Sequence, residues 1–127
     1  AGELKAHVIY EDESVLAFLD NHPASRGHVM VIPKIHAESL DRLDDRQLAP
    51  LFSGVKTVMG LLEKALKPAG MNVGWNHGWA AGQRVAHLHV HIIPRNGGDG
   101  GGGIQSLIHS FVAEDLASVA AQIKSVR

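Results

Sequence analysis

Residues 87–93 read His87-Leu88-His89-Val90-His91-Ile92-Ile93, in which imidazoles alternate strictly with large apolar side chains from His87 to Ile92. Successive side chains of a β-strand point to opposite faces, so the three histidines would share one face and Leu88, Val90 and Ile92 the other. The apolar face suits contact with a hydrophobic core. This stretch therefore predicts a strand that anchors the fold with one side and presents three imidazoles with the other.

The composition is that of an ordinary globular protein. The chain has 127 residues, of which 45% are hydrophobic and 20% charged, and these values exclude disordered, collagen-like and coiled-coil chains. The Lys and Arg residues number 12 and the Asp and Glu residues 13, for a formal charge of -1. Such a chain has no long-range positive field to attract a polyanion, so general binding of nucleic acid is not expected.

Cysteine is absent from the sequence. Disulfides, thiol catalysis and zinc sites that need cysteine are therefore excluded. Every apolar run is interrupted well before the roughly 20 residues that a membrane span requires, and the N-terminal residues do not resemble a signal peptide. We expect a cytoplasmic protein without a membrane span.

Hydrophobic periodicity predicts an α+β fold in a single domain over residues 1–127, with about five antiparallel strands, one long helix and one C-terminal helix. Asp44 can cap the long helix, and Pro50 predicts either a kink or a later start. The glycine-rich residues 97–103 are predicted to form a flexible loop. The strands are expected at His7–Tyr10, Val15–Leu19, His28–Ile32, 71–77 and 86–93, and the helices at 44–67 and 111–126.

The residues alone allow three interpretations of the histidine face. The first is an exposed polar face without a special role, which three histidines in strict alternation disfavour. The second is a metal site, since two histidines at i and i+2 can ligate zinc or copper, although no carboxylate adjoins them in sequence. The third is catalysis on phosphorus, because neutral imidazole is a good nucleophile near pH 7 and a second imidazole can hold a proton.

The loop upstream of the histidines supports the third interpretation. Residues 75–84 read Trp75-Asn76-His77-Gly78-Trp79-Ala80-Ala81-Gly82-Gln83-Arg84. Small residues let backbone amides approach a phosphate, and amide side chains can donate hydrogen bonds to its oxygens. Beside three histidines, such a loop indicates a phosphate site.

The stretch 87–93 resembles the signature of the histidine-triad family. Ala81-Gly82-Gln83 resembles the residues that usually precede this signature in the family. The resemblance covers most of the chain in the family's order, with Tyr10-Glu11-Asp12-Glu13, Phe18-Leu19-Asp20, and Gly27 to Lys34 with His36. It implies a sheet that is extended by a partner's sheet in a homodimer. It also implies a purine nucleotide or dinucleotide bound with its α-phosphate at the triad, with no cofactor and no active-site metal.

The resemblance implies roles for individual residues. His89 would be the nucleophile that forms a nucleotidyl-histidine intermediate, and His91 would hydrogen-bond the phosphate or the leaving group. His87 and His28 would form a supporting shell that sets the ring tautomers, and Asp20 would hold the ribose hydroxyls. The other substrate-binding candidates are Phe18, Val8 and Asn21 in the base pocket, and Asn76, Gln83 and Arg84 near the phosphates.

Two features depart from the family's pattern. Many microbial members carry a pair of cysteines near the start that bind structural zinc together with histidines, whereas this chain has none. Arg84 stands where relatives usually have a small hydroxyl residue, so that either its charge reaches a polyphosphate chain or its bulk narrows the site. The other histidines are assigned to the surface or a supporting position (His36, His109), to loops (His22, His77) and to a structural role (His7).

Hydrolysis of phosphoanhydride or phosphoramidate bonds at the α-phosphate of a nucleotide is the function that these features favour. Among relatives, the sequence His-Ile-Ile-Pro-Arg before a Gly-Asp-Gly-rich loop is most similar to microbial members related to dinucleoside polyphosphate hydrolases. Two alternatives stay open. One is a nucleotidyl transferase, in which an acceptor other than water resolves the intermediate, and the other is a nucleotide-binding regulatory protein with weak turnover.

Overall fold

The computed structural model describes residues 6–126, so residues 1–5 and 127 of the predicted 1–127 domain lie outside the described residues. Five strands form one sheet in the order β1-β2-β3-β5-β4, with antiparallel neighbours throughout. The predicted α+β fold, with one long and one C-terminal helix, is confirmed. Its elements are β1 (Val8–Glu11), β2 (Val15–Leu19), β3 (Val29–Pro33), α1 (Leu48–Leu66), β4 (Gly70–Gly74), β5 (Val90–Arg95) and α2 (Leu116–Lys124).

The hydrophobic core lies between α1 and one face of the sheet. Alternate residues of β2, β3 and β5 are buried there, and α1 contributes a stripe at three- and four-residue spacing, as the periods of a strand and a helix require. The opposite face of the sheet is half-buried and carries His91. The buried residues of this core include Val15, Ala17, Val29, Val31, Val90 and Ile92 from the sheet, and Leu51, Val55, Val58 and Leu62 from α1.

Helix α1 starts later than the predicted residue 44, which is the second of the two alternatives that Pro50 allowed. Residues Asp45–Gln47 form a short 3-10 helix, and α1 begins at Leu48, so that Pro50 falls in its first turn. A proline there removes no hydrogen bond, because the first N–H groups of a helix have no partner within it. Asp44 caps the 3-10 helix, since its side chain accepts a hydrogen bond of 2.8 Å from the Arg46 N–H.

Strand β5 begins at Val90, later than the predicted residue 86. Before this point the chain bonds to the segment that follows β3, where the Leu88 N–H donates to the Ala37 carbonyl at 2.7 Å. The alternation of burial nevertheless continues outside the strand, since Leu88 is buried and both His87 and His89 are half-buried. The predicted division into an apolar face and a histidine face is thus confirmed.

Strand β5 also runs through Pro94, where the sequence predicted its end. The pairing of β3 with β5 reaches only Val29 opposite Ile92, so no strand lies on that side of Pro94. The Pro94 carbonyl instead accepts a hydrogen bond of 2.7 Å from Ser25 Oγ. The missing N–H of proline therefore costs no ladder hydrogen bond at this position.

Four other elements have boundaries that differ from the prediction. Strand β4 ends at Gly74, and the chain then turns through Gly78, whose φ of 90° suits glycine, into a 3-10 helix at Trp79–Ala81. Helix α2 starts at Leu116, after Asp115 at its N-cap position, and the Asp115 side chain makes no capping hydrogen bond. Strands β1 and β3 are each shifted by one residue. No helix within residues 6–126 is long and apolar enough to cross a membrane.

Candidate active site

The ring of His89 has a defined hydrogen-bonding state. Its Nδ1 lies 2.8 Å from the carbonyl oxygen of His87, and a carbonyl only accepts, so the proton of the neutral ring is assigned to Nδ1. Nε2 then keeps its lone pair. The ring centroid of His89 lies 5.0 Å from that of His91 in an edge-to-face arrangement.

A chain of hydrogen bonds assigns the tautomer of His91. The Ala24 N–H donates to His28 Nδ1 at 3.0 Å, so His28 carries its proton on Nε2. His28 Nε2 lies 2.8 Å from His91 Nδ1 and donates to it. The remaining nitrogen of His91, Nε2, therefore carries the proton of that ring and can donate to a ligand.

Burial and neighbouring charge favour neutral rings in this chain. Burial lowers the pKa of His28, and the nearby Asp20 carboxylate opposes the effect. Burial also lowers the pKa of His91, with further lowering by His89 and His28. Both imidazoles are thus neutral near pH 7, which is the state that the hydrogen-bond chain requires.

A second pair of imidazoles supports the backbone next to His89. His87 Nε2 donates to the Pro33 carbonyl at 3.1 Å, and its Nδ1 accepts from His36 Nδ1 at 3.0 Å. These contacts tie the segment before β5 to the end of β3. The carbonyl of His87, which sets the tautomer of His89, is thereby held in place.

The structure places Gln83 and Arg84 in contacts within their own loop and with its neighbours. Gln83 Oε1 accepts from the Gly78 N–H at 2.9 Å, and its Nε2 donates to the carbonyls of Glu38 and Val85. Arg84 donates to the Trp79 carbonyl at 2.8 Å and stacks over that indole ring at 3.8 Å. In this arrangement Gln83 shapes the loop, and its amide has no donor left for a phosphate.

Asp20 lies next to the histidine chain, at the end of β2. Its Oδ2 is 3.5 Å from His28 Nε2, and its Oδ1 accepts from the His22 N–H at 2.8 Å. The side chain is 16% exposed, so a ligand can reach it. The candidate base-pocket residues gather nearby on β1 and β2, where Val8 pairs with Phe18 and Asn21 is exposed just after Asp20.

A cavity of about 330 Å³ opens beside His91. Its lining includes Asn76 and both histidines of the hydrogen-bond chain. His89, Asp20, Gln83 and Arg84 are not among the described residues that line it. The lining consists of His28, Asn72, Val73, Gly74, Trp75, Asn76, His91, Ile93, Gly102, Gly103, Ile104 and Leu107.

Several of these residues escaped prediction from the sequence. Asn72 pairs with Ile93 and Gly74 with His91 across β4 and β5, so alternation along β4 places Asn72 on the histidine face. This signal becomes usable only when the register between the two strands is known. His36, which was assigned to the surface or a supporting position, is exposed and contacts His87.

A metal ion has one set of candidate ligands within residues 6–126. The side chains of Asp20, His28 and His91 offer ligand atoms that all lie within 4.8 Å of one another. The facing nitrogens of the two histidines, however, share a proton at 2.8 Å. A metal bound between them would require both nitrogens to be unprotonated, so the hydrogen-bonded pair does not fit this role as it stands.

Comparison with known proteins agrees with this geometry. Residues 1–98 match the model of the HIT domain. An uncharacterized HIT-like protein of Methanocaldococcus jannaschii is 50% identical over 99 residues, which cover 78% of this chain and 76% of that protein. An adenosine 5'-monophosphoramidase of Schizosaccharomyces pombe is 36% identical over 124 residues, or 98% of this chain and 90% of that protein.

Solved structures give the same result. The crystal structure of a member of the HIT family from Bacillus subtilis has a TM-score of 0.81 and 36% sequence identity, and the match covers 98% of this chain and 89% of that one. The matched region includes the sheet, α1 and the three alternating histidines. The chain therefore belongs to the HIT domain family, as its resemblance to the histidine-triad signature predicted.

Proposed function

We propose that the protein hydrolyses phosphoanhydride or phosphoramidate bonds at the α-phosphate of a purine nucleotide, in the manner of a dinucleoside polyphosphate hydrolase. The observation that carries this proposal is the tautomer of His89. Its Nδ1–H is bound to the His87 carbonyl, which leaves the Nε2 lone pair available to attack phosphorus. The name of the yeast relative, adenosine 5'-monophosphoramidase, supports a nucleotide substrate.

The first step forms a bond between His89 Nε2 and phosphorus and breaks the bond from phosphorus to the leaving group. The leaving group departs with the bonding electron pair, as an anion from an anhydride or with a proton from solvent when it is an amine. His91 Nε2–H donates a hydrogen bond to the departing atom or to a phosphoryl oxygen. The product of this step is a nucleotidyl-histidine.

Water completes the reaction in a second step. Its oxygen binds phosphorus, the bond to His89 Nε2 breaks, and the electron pair returns to the nitrogen. One proton of the water passes to solvent, and the nucleoside monophosphate leaves. Because His28 and the His87 carbonyl hold the two rings in their starting tautomers, the site is restored without a ring rotation.

The surroundings support the rest of the substrate assignment. Asp20 can accept hydrogen bonds from both ribose hydroxyls, which suits a carboxylate beside a neutral sugar. The paired residues Val8 and Phe18 offer an apolar surface for the base next to Asn21, and Asn76 lies in the cavity beside His91. Arg84, stacked on Trp79, remains a candidate contact for a polyphosphate chain.

We also propose that two copies of the chain form a homodimer. Strand β4 is a free edge of the sheet among the described residues, and an uncovered edge favours pairing with another chain. The C-terminal segment adds an unusual amount of exposed apolar surface. Its exposed residues include Ile108, Phe111, Val112, Leu116, Ile123 and Val126. Sedimentation should give twice the 13.6 kDa of one chain, and a monomer at micromolar concentration would contradict this proposal.

The proposed chemistry is tested by the variant His89→Ala. Turnover of adenosine polyphosphates and phosphoramidates should be lost, whereas binding of AMP should stay within about threefold, because the nucleophile contributes little to ground-state binding. The matched control is His7→Ala, which removes an exposed imidazole just before β1. This variant should retain full turnover. Activity of His89→Ala within about tenfold of the parent would remove the nucleophile assignment.

A further inference from the structure

We propose that the cavity beside His91 receives the leaving group of the substrate, and that Arg95 and Asp99 are positioning residues that hold one wall of this cavity. The inference rests on the proposed function, since it assigns a place to one part of that substrate. This wall is the segment from Gly102 to Leu107, which begins with the last two residues of the glycine-rich loop.

The position of the cavity points to the leaving group. In an in-line displacement at phosphorus, the nucleophile and the leaving group lie on opposite sides of the reacting atom. The cavity is lined by His91 and His28, and His89 is not among its described lining residues. A nucleotide whose phosphorus lies against His89 Nε2 would therefore direct its leaving group toward the cavity.

The Arg95–Asp99 ion pair fixes the glycine-rich loop to β5. Arg95 donates from Nε to Asp99 Oδ2 at 2.7 Å and from a terminal nitrogen to Oδ1 at 2.8 Å. The same carboxylate accepts the backbone N–H groups of Asn96 and Gly101. Four hydrogen bonds to one carboxylate hold its pKa well below the usual range, so the pair stays charged at every physiological pH. These contacts tie the middle of the glycine-rich loop to the end of β5.

The second terminal nitrogen of Arg95 connects this ion pair to the cavity. It donates to the Gly102 carbonyl and, at 2.6 Å, to Asn72 Oδ1. Both Gly102 and Asn72 line the cavity. With its oxygen bound to Arg95, the Asn72 amide keeps its NH2 group as the donor for a ligand in the cavity.

The lining indicates what kind of leaving group would fit. Apart from the two histidines, the residues that line the cavity carry no charged side chain, and Asp99 already neutralises the nearby Arg95. A chain of phosphates would find no cation among these residues, so of the two bond types in the proposed function the phosphoramidate suits this cavity, and a polyphosphate leaving group would have to lie outside it, towards Arg84. A mostly apolar group with a hydrogen-bond acceptor fits the lining of Val73, Trp75, Ile93, Ile104 and Leu107 with Asn72.

The test compares two glycine variants of the same loop. A Cβ at position 101 would collide with the guanidinium of Arg95, whereas a Cβ at position 97 would meet nothing within 4 Å. Gly101→Ala should therefore displace Arg95, and Gly97→Ala is the matched control. Asp99→Asn provides a second, isosteric way to weaken the ion pair.

The substrates for this test are adenosine 5'-phosphoramidate, whose leaving group is ammonia, and its N-benzyl derivative. In Gly101→Ala and Asp99→Asn, kcat/KM should fall by about tenfold or more for the benzyl compound and by less than about threefold for the parent compound. Gly97→Ala should change neither value. Equal losses for both substrates, or no loss for either, would overturn the inference.

A failure of the proposed function gives a different result. In that case the wild-type protein hydrolyses neither compound. Calorimetric titration of both compounds into His89→Ala, with and without Gly101→Ala, then still tests the cavity, because it needs no turnover. Selective weakening of the benzyl compound by Gly101→Ala supports the leaving-group assignment, and equal affinities in the two backgrounds would contradict it.

Discussion

His28 Nε2 lies 2.8 Å from His91 Nδ1, and this contact sets the protonation state of a ring that faces the cavity. His28 is 6% exposed and receives a backbone N–H from Ala24 on its other nitrogen. Because a backbone N–H can only donate a hydrogen bond, the Ala24 N–H fixes the tautomer of His28. The backbone of the loop before β3 in this way decides which nitrogen of His91 can donate.

The first prediction concerns this contact. In His28→Ala the Nδ1 of His91 loses its donor, so the ring can adopt either tautomer and kcat should fall roughly 10- to 100-fold, the usual cost of losing a partner that orients a reactive histidine. KM should change little. His28→Gln, which can still donate an N–H to His91, should recover part of kcat. Nitrogen NMR of His91 would report the tautomer directly, and an unchanged spectrum in His28→Ala would contradict the assignment.

The second prediction is a pH dependence of stability. Burial lowers the pKa of both His28 and His91 in the folded protein, whereas an unfolded imidazole takes up its proton near pH 6.5. Below that pH the unfolded state binds more protons than the folded state, so the free energy of unfolding decreases as the pH falls. Above it, these two groups add no further pH dependence.

Thermal unfolding between pH 5 and pH 8 measures this effect. The melting temperature of the wild-type protein should fall on the acid side, and His28→Gln should flatten that fall. The exposed His109 supplies the control, because His109→Gln should leave the slope unchanged. A slope that is the same in His28→Gln and in the wild type would show that other groups cause it.

The third prediction tests the ribose contact of Asp20. Asp20→Ala should weaken ribonucleotide binding by about 1.5–3 kcal/mol, the range for a hydrogen bond to a charged group, and should affect a dideoxyribonucleotide much less. Asp44→Ala is a matched control, since Asp44 also accepts a backbone N–H two residues ahead. Equal losses for both sugars in a titration would mean that Asp20 serves only the turn at His22.

The fourth prediction concerns the approach of α1 to the sheet. A Cβ at Gly54 would come within 2.6 Å of Val15 Cγ2, whereas a Cβ at Gly60 would meet nothing within 4 Å. Gly54→Ala should therefore lower the free energy of unfolding by about 1–3 kcal/mol through overpacking. Gly60→Ala should raise it by roughly 0.5–1 kcal/mol, because alanine is the better helix former. Denaturant unfolding of both variants checks the two signs.

The fifth prediction concerns metal ions. Imidazole supplies the nucleophile and hydrogen-bond donors supply charge stabilisation in the proposed mechanism, so turnover should persist after EDTA treatment in metal-free buffer. A phosphoramidate is the substrate of choice for this assay because nucleotide polyphosphates themselves carry magnesium. Complete loss that zinc restores would favour a metal site at Asp20, His28 and His91 instead.

Local patterns in the sequence predicted the faces of the elements correctly. The alternation at 87–93 assigned Leu88, Val90 and Ile92 to the core, and all three are buried. The buried residues Leu51, Val55, Val58 and Leu62 of α1 likewise follow the three- and four-residue spacing of a helix. These patterns depend only on the periodicity of a single helix or strand, which can be seen in one continuous stretch of the sequence.

The contacts between elements could not be predicted in the same way. His28 and His91 are 63 residues apart, and they meet because β3 and β5 pair in one register. Arg95 reaches Asn72 for a similar reason, because β4 and β5 pair in one register. The start of β5 was placed too early because the apolar alternation continues past the point where Leu88 bonds to Ala37. Side-chain periodicity reports burial, whereas a strand is defined by its neighbour's hydrogen bonds.

Alternate residues of β5 pack in the core and face the ligand side. The core and the candidate site therefore depend on the same register between β5 and β3. A slip of one position against β3 would send His91 into the core and Ile92 to the ligand side. The buried imidazole would then lack the partner that His28 now supplies. An insertion or deletion within β5 would therefore disrupt the core and the histidine face together, whereas the loops on either side of the strand can change in length without reversing its faces.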